Sequence, residues 1–146
     1  MKTAIVYYSA HHGNTKKLID AVTTPDTTLF DVTKTDTADL ASYDLVIFAS
    51  SIYFSQFEKR VMAFVEKNLP AGKSVALLYT YGAKRDSYTL KITDAIQKKG
   101  STVIGSYGCL GFDTFGSFKL VGGIAKGHPT ADEVEGAVQF VKGLVL

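Results

Sequence analysis

The sequence predicts an α/β fold, an open five-stranded parallel sheet with helices on both faces. Three observations carry this prediction. Apolar stretches of strand length alternate five times with stretches of helical period along the 146 residues. The stretches at 44–49 and 74–80 are apolar almost throughout, as strands covered on both faces are. The intervening segments read as helices, and parallel neighbours need such crossovers, which are right-handed in nearly all cases.

The elements follow in order. Residues 3–8 form the first strand, with Ile5, Val6, Tyr7 and Tyr8. Leu18, Ile19 and Val22 give the next helix its apolar face, and Thr23-Thr24-Pro25-Asp26 breaks it. Residues 27–32 form a weaker second strand around Leu29 and Phe30, and 36–43 hold a short helix or only a turn. The strand at 44–49 runs into a loop at 50–54. Phe57, Val61, Phe64 and Val65 then recur at i, i+4, i+7 and i+8, marking a helix that ends near Asn68. Pro70-Ala71-Gly72-Lys73 terminates it. The strand at 74–80 precedes a helix at 86–99, with Ile92, Ala95 and Ile96 on one face and Gly100 beyond its end. Residues 102–107 form the fifth strand. Thr130 and Glu133 match a capping box, and Val134, Val138, Val141 and Val145 keep helical spacing to the end. The segment 108–129 has no clear period. Its Phe112, Phe115, Phe118, Leu120 and Val121 are too apolar for a disordered tract, so it reads as a folded flap with a short extra strand around 118–121.

Composition narrows the function classes. The chain is 46% hydrophobic and 21% charged, an ordinary globular balance for one domain. No apolar run is long enough to span a bilayer, and the apolar run behind Lys2 is too short for a secretory core. The single cysteine, Cys109, allows no internal disulfide and fits a reducing cytoplasm. Net charge is +2, with no Lys/Arg stripe interleaved with aromatics, which argues against nucleic acid as a partner.

The stretch from Ile5 to Leu18 joins a strand, a polar loop and a helix N-terminus. The first N–H groups of a helix have no partners within it, and its dipole favours negative charge there. A Walker loop needs a Gly-Lys pair and a dinucleotide loop needs three spaced glycines, and both are absent. What remains is Ser9, His11, His12, Asn14 and Thr15 around Gly13, a set of neutral donors suited to a terminal monophosphate. Adjacent His11 and His12 have no third ligand in a metal-binding pattern.

Ser9 followed by Gly13-Asn14-Thr15 after an apolar strand resembles the phosphate loop of flavodoxins, usually written (S/T)-x-T-G-N-T. The resemblance extends over almost the whole chain through the order and spacing of elements. It includes the 50–54 loop, the 80–82 turn and Cys109-Leu110-Gly111. The part from Gly111 to Pro129 is similar to uncharacterised bacterial and archaeal members. The sequence also departs from the family. The loop is one residue longer, His11-His12 stand where a threonine is usual, the net charge is not acidic, and there is no tryptophan to cover a flavin.

The resemblance implies strand order 2-1-3-4-5 in one flavodoxin-like domain over 1–146, with FMN held without a covalent link. It implies phosphate contacts from Ser9, His11, His12, Gly13, Asn14 and Thr15. Contacts to the ring would come from Ser50, Ser51, Ile52, Tyr53 and Phe54, from Thr80, Tyr81 and Gly82, and from Cys109, Leu110 and Gly111. Tyr88 is similar in place to the tyrosine of the loop that covers the flavin in familiar members. The implied function is a cytoplasmic electron carrier working between a reductase or ferredoxin-type donor and acceptor enzymes. Such a carrier has redox partner proteins, no catalytic acid or base, no metal and no membrane insertion, and exists as a monomer or weak dimer. The alternatives are a flavodoxin-like oxidoreductase acting on a quinone, a porphyrinogen or NAD(P)H, for which the Phe-rich flap would supply a pocket, and a flavin-free binding domain.

Overall fold

The computed structural model describes residues 1–9, 13–112 and 123–144. The elements are β1 (Thr3–Tyr8), α1 (Asn14–Val22), β2 (Thr27–Asp31), β3 (Leu45–Tyr53), β4 (Gln56–Phe57), α2 (Lys59–Asn68), β5 (Ser74–Tyr81), α3 (Leu90–Lys98), β6 (Thr102–Leu110) and α4 (Ala131–Lys142). A 3₁₀ turn, Asp86–Thr89, leads into α3. The strands β2-β1-β3-β5-β6 lie side by side and parallel. With the two-residue β4 set aside, this is the expected order 2-1-3-4-5.

Alternation along the strands divides the core in two. Ala4, Val6, Val46, Phe48, Val75 and Leu77 face α2 and α3. Ile5, Ile47, Ala49, Ala76 and Leu78 face α1 and α4. Residues Leu45 to Ala49 of β3 have no exposed surface, because this central strand is covered on both sides. The weaker β2 lies at the edge, where Leu29 is partly exposed.

The structure corrects four boundaries. The expected loop at 50–54 is largely strand: β3 runs on to Tyr53 and turns back through Phe54 and Ser55 into β4, pairing Ile52 with Phe57 and Tyr53 with Gln56. Both turn residues take left-handed backbone, at φ +50° and +63°, as a two-residue hairpin turn with the right twist requires. Phe57 is thus a strand residue, and α2 begins after Glu58, whose side chain accepts from Arg60 N at 2.8 Å. The strand expected at 102–107 extends to Leu110, so Cys109 and Leu110 lie within it. The helix expected from residue 86 opens as the 3₁₀ turn. Residues 36–43 hold no helix, which resolves that alternative in favour of a turn. His11, His12 and the extra strand expected around 118–121 lie outside the described residues.

The capping box on α4 is present. Thr130 Oγ1 accepts from Glu133 N at 3.2 Å, and Thr130 N donates to Glu133 Oε1 at 2.8 Å. His128 Nδ1 lies 2.5 Å from the same oxygen. Burial alone would raise the Glu133 carboxyl, but hydrogen bonds from Thr130 and His128 outweigh it and hold the group below its ordinary value. A carboxylate so depressed stabilises the fold above its unfolded pKa, about 4.3, and loses that contribution as pH falls through the lower folded value. In urea unfolding, wild type should exceed Glu133→Gln by about 1 kcal/mol near pH 5. The margin should shrink steadily as pH drops below about 4; a margin unchanged by that drop would contradict the assignment.

Candidate functional site

The carboxyl ends of β1, β3, β5 and β6 converge at one edge of the sheet, where open parallel sheets bind ligands. α1 points its N-terminus at this edge. Gly13 caps it in the left-handed region, at φ +65°, and, being glycine, brings no side chain to the first-turn N–H groups. Ser9 Oγ accepts from Lys16 N at 2.9 Å, and Lys17 N donates to Gly13 O at 3.2 Å. The backbone N–H groups of Asn14 and Thr15 donate to none of the described residues. The first turn carries no acidic residue, only Lys16 and Lys17. Lys16 pairs with Asp20, and Lys17 is exposed.

The side chains behind this turn are committed to the protein. Asn14 is 3% exposed, and its Nδ2 donates to Phe112 O at 2.7 Å, tying α1 to the chain just beyond β6. Its Oδ1 is buried with no hydrogen-bond partner among the described residues. Gly111 passes so close that a Cβ there would lie 2.7 Å from Asn14 Nδ2, so only glycine fits. Thr15 Oγ1 is 3.1 Å from Ser51 Oγ and 3.0 Å from Thr80 Oγ1, and those two are 3.2 Å apart. Each of the three buried hydroxyls can donate to one neighbour and accept from the other, so the ring closes with every donor used.

On the other side of the edge, Ser50 is fully buried. Its hydroxyl lies 2.5 Å from Ser51 O and accepts from Glu58 N at 3.0 Å, so it locks the hairpin to the start of α2. Ile52 and Tyr53 are half-buried on β3, and Phe54 at the hairpin tip is 83% exposed. Tyr53 meets Tyr8 edge-on at 5.8 Å, and the Arg60 guanidinium lies over the Tyr8 ring at 5.0 Å. A pocket of about 200 Å³ opens under Phe54, walled by Tyr8, Tyr53 and Phe57. Tyr81 and Gly82 are half-buried at the end of β5, where Tyr81 packs against Tyr79 at 5.9 Å and Tyr88 at 5.7 Å. Burial, with the neighbouring Tyr79, keeps the Tyr81 phenol above its ordinary pKa and therefore neutral. Tyr88 is buried, its hydroxyl donating to Ala83 O at 2.5 Å.

Leu110 pairs with Tyr81 in register, and Gly111 N donates to Tyr81 O at 2.8 Å. Cys109 neighbours Thr80, and burial pushes its thiol up to about 12. At neutral pH it is protonated and inert as a nucleophile. The structure thus brings Ser9, Gly13, Asn14, Thr15, Ser51, Thr80, Cys109 and Gly111 together at α1, and Tyr53, Phe54, Tyr81 and Leu110 along the adjoining strand ends. Sequence reasoning missed Tyr8, Phe57, Arg60 and the contact of Asn14 with Phe112. Among the described residues no three His, Cys, Asp or Glu side chains converge as a metal site would require.

Thr80→Val removes one member of the hydroxyl ring at nearly constant volume. It should cost about 1–3 kcal/mol in urea unfolding, because two buried hydroxyls lose a partner. Thr80→Ser should restore most of that. A Thr80→Val protein as stable as wild type would show that the ring contributes nothing.

Residues 5–111 match the family described as Flavodoxin domain. An uncharacterized protein of Methanocaldococcus jannaschii is 30% identical over 148 residues, covering 99% of each chain. A flavodoxin from the domain Archaea superposes with a TM-score of 0.68 at 19% identity, over 94% of this chain and 92% of that one. A Fusobacterium nucleatum flavodoxin mutant bound to flavin mononucleotide gives 0.65 at 17% identity, over 97% of this chain and 94% of that one. At such identities the superpositions speak to fold alone. The family match spans most of the sheet and every strand end described above, and on that ground the chain belongs to the flavodoxin domain family.

Proposed function

We propose that the chain holds FMN without a covalent link and serves as a cytoplasmic electron carrier between redox proteins. One observation carries the reading. Among the described residues, the N-terminus of α1 offers two backbone N–H groups without partners beside a buried acceptor, Asn14 Oδ1, without a donor. An anion satisfies the first, and a hydroxyl satisfies the second. The phosphate and polyol chain of FMN supply both. The strand-end residues fit the rest, since Tyr53, Phe54, Tyr81 and Leu110 offer flat or apolar walls to a planar ring.

Bound there, FMN would supply one- and two-electron chemistry at low potential. The chain's own part is to bind, orient and shield. Asn14 and Thr15 would present N–H groups to the phosphate. The hydroxyl of Ser9 keeps its own proton to donate, since its oxygen already accepts from Lys16 N. Apolar walls disfavour added negative charge on a ring between them and so lower its potential. Cys109 stays protonated and takes no part in chemistry. Among the described residues no helix is long and apolar enough to cross a membrane. A monomer or weak dimer suits a carrier that must release its partners.

The experiment is stepwise anaerobic reduction of the FMN-loaded protein, followed by absorbance, with a parallel assay of NAD(P)H oxidation in the presence of a quinone. A carrier takes up its two electrons in separable one-electron steps and turns over NAD(P)H negligibly. Sustained NAD(P)H–quinone turnover by the pure protein would move the function to an oxidoreductase.

A further inference from the structure

We infer that the α2–α3 side of the ligand-facing edge is a docking surface for a protein partner with an acidic face. Among the described residues, four large hydrophobic side chains are exposed, and the two most exposed both lie here: Phe54 at 83% and Leu90 at 65%. Phe54 sits at the tip of the β3–β4 hairpin, and Leu90 begins α3. The hairpin packs against the 3₁₀ turn that precedes Leu90, so both belong to one surface. Phe54 is held there at φ +50°, a conformation costing an L-residue roughly 1–2 kcal/mol. A strained backbone that presents an aromatic ring to solvent is a feature of binding surfaces rather than of stable cores.

The charges around these two side chains have one predominant sign. Lys59 and Arg60 stand in the first turn of α2, and Lys84 and Arg85 lie just ahead of the 3₁₀ turn. Neither α2 nor α3 has an acidic residue in its first turn, although helix dipoles favour one there. The Glu58 carboxylate caps α2, and Asp86 opens the 3₁₀ turn that leads into α3, so the excess positive charge comes from the basic side chains. Two carboxylates share the surface. Glu58 is buried and bound to Arg60, with Nε at 3.3 Å. Asp86 is exposed and offsets one cation. Lys59, Lys84 and Arg85 make no ion pair with any described residue. An apolar centre with a basic rim fits an acidic surface carrying its own apolar side chains, and the pocket under Phe54 would receive one of them. This surface adjoins the strand ends that would hold the ring in the proposed function, so a partner seated on it would sit within electron-transfer reach. The recognition itself does not require the cofactor.

The test therefore uses the chain without FMN. Two fluorescently labelled peptides of equal length and negative charge serve as probes, one with glutamates spaced by leucine and phenylalanine, the other with glutamates spaced by serine. Heparin serves as a polyanion that is not a protein. The apolar-spaced peptide should bind more tightly than the serine-spaced one and more tightly than heparin. Its affinity should fall as ionic strength rises from about 0.02 M to about 0.2 M. The double variant Lys59→Glu, Arg85→Glu should lose about tenfold or more in affinity, and Lys59→Gln, Arg85→Gln a smaller amount in the same direction. Lys142→Glu, at the far end of α4, should bind as wild type does. Amide shifts on peptide addition should centre on Phe54, Lys59, Arg85 and Leu90. Equal binding of the two peptides, a preference for heparin, or equal losses in Lys142→Glu and the double variant would overturn the inference. Because no flavin is present, failure of the FMN reading would leave this result standing, and the reverse also holds.

Discussion

The site depends on a ring of three buried hydroxyls. Thr15 opens α1, Ser51 lies near the end of β3, and Thr80 lies near the end of β5, all within 3.2 Å of one another. A buried hydroxyl donor or acceptor left unsatisfied costs about 1–3 kcal/mol, and separating α1 from either strand would take one partner from each of two hydroxyls. The ring fixes where the helix begins relative to the sheet. The N–H groups of Asn14 and Thr15, which donate to none of the described residues, are held at the sheet edge as a consequence. Asn14 extends the same logic across the edge, because its amide holds the chain beyond β6 against α1. The anion end of the site and the ring end are therefore parts of one hydrogen-bonded unit.

Below that edge the fold rests on simple burial. β3 and β5 fill the middle of the sheet and are apolar on both faces, with two helices on each side. Such a platform is rigid, and the functional residues sit where it ends, on backbone that leaves the regular ladder. The β3–β4 hairpin is the clearest case. It replaces an open loop with a short, twisted arm, fixes Glu58 through Ser50, and projects Phe54 into solvent.

Much of this was legible in the sequence because the responsible interactions are local or periodic. Apolar strand runs, the faces of the helices, and the reciprocal pair Thr130 and Glu133 all write themselves into nearby residues. The hairpin was not legible, because Phe54-Ser55 lacks the glycine or asparagine that usually marks its turn. Phe57 fits helical spacing as well as it fits a strand position, so periodicity misassigned it. The end of β6 was hidden by Gly105 and Gly108, which weaken a strand pattern. Asn14 meets Phe112 across 98 positions, and no local signal can report such a pairing. The set of residues gathered at α1 was readable as chemistry, but the sharing of Thr15 with Ser51 and Thr80 needed the three-dimensional arrangement.

If the N-terminus of α1 is built for the phosphate of FMN, loss of that phosphate must cost affinity. The most direct measurement is a calorimetric titration of the cofactor-free chain with FMN and, separately, with riboflavin, which lacks the phosphate. FMN should bind at one site and about a hundredfold or more tighter than riboflavin. Equal affinity for the two, or no binding of FMN, would contradict it.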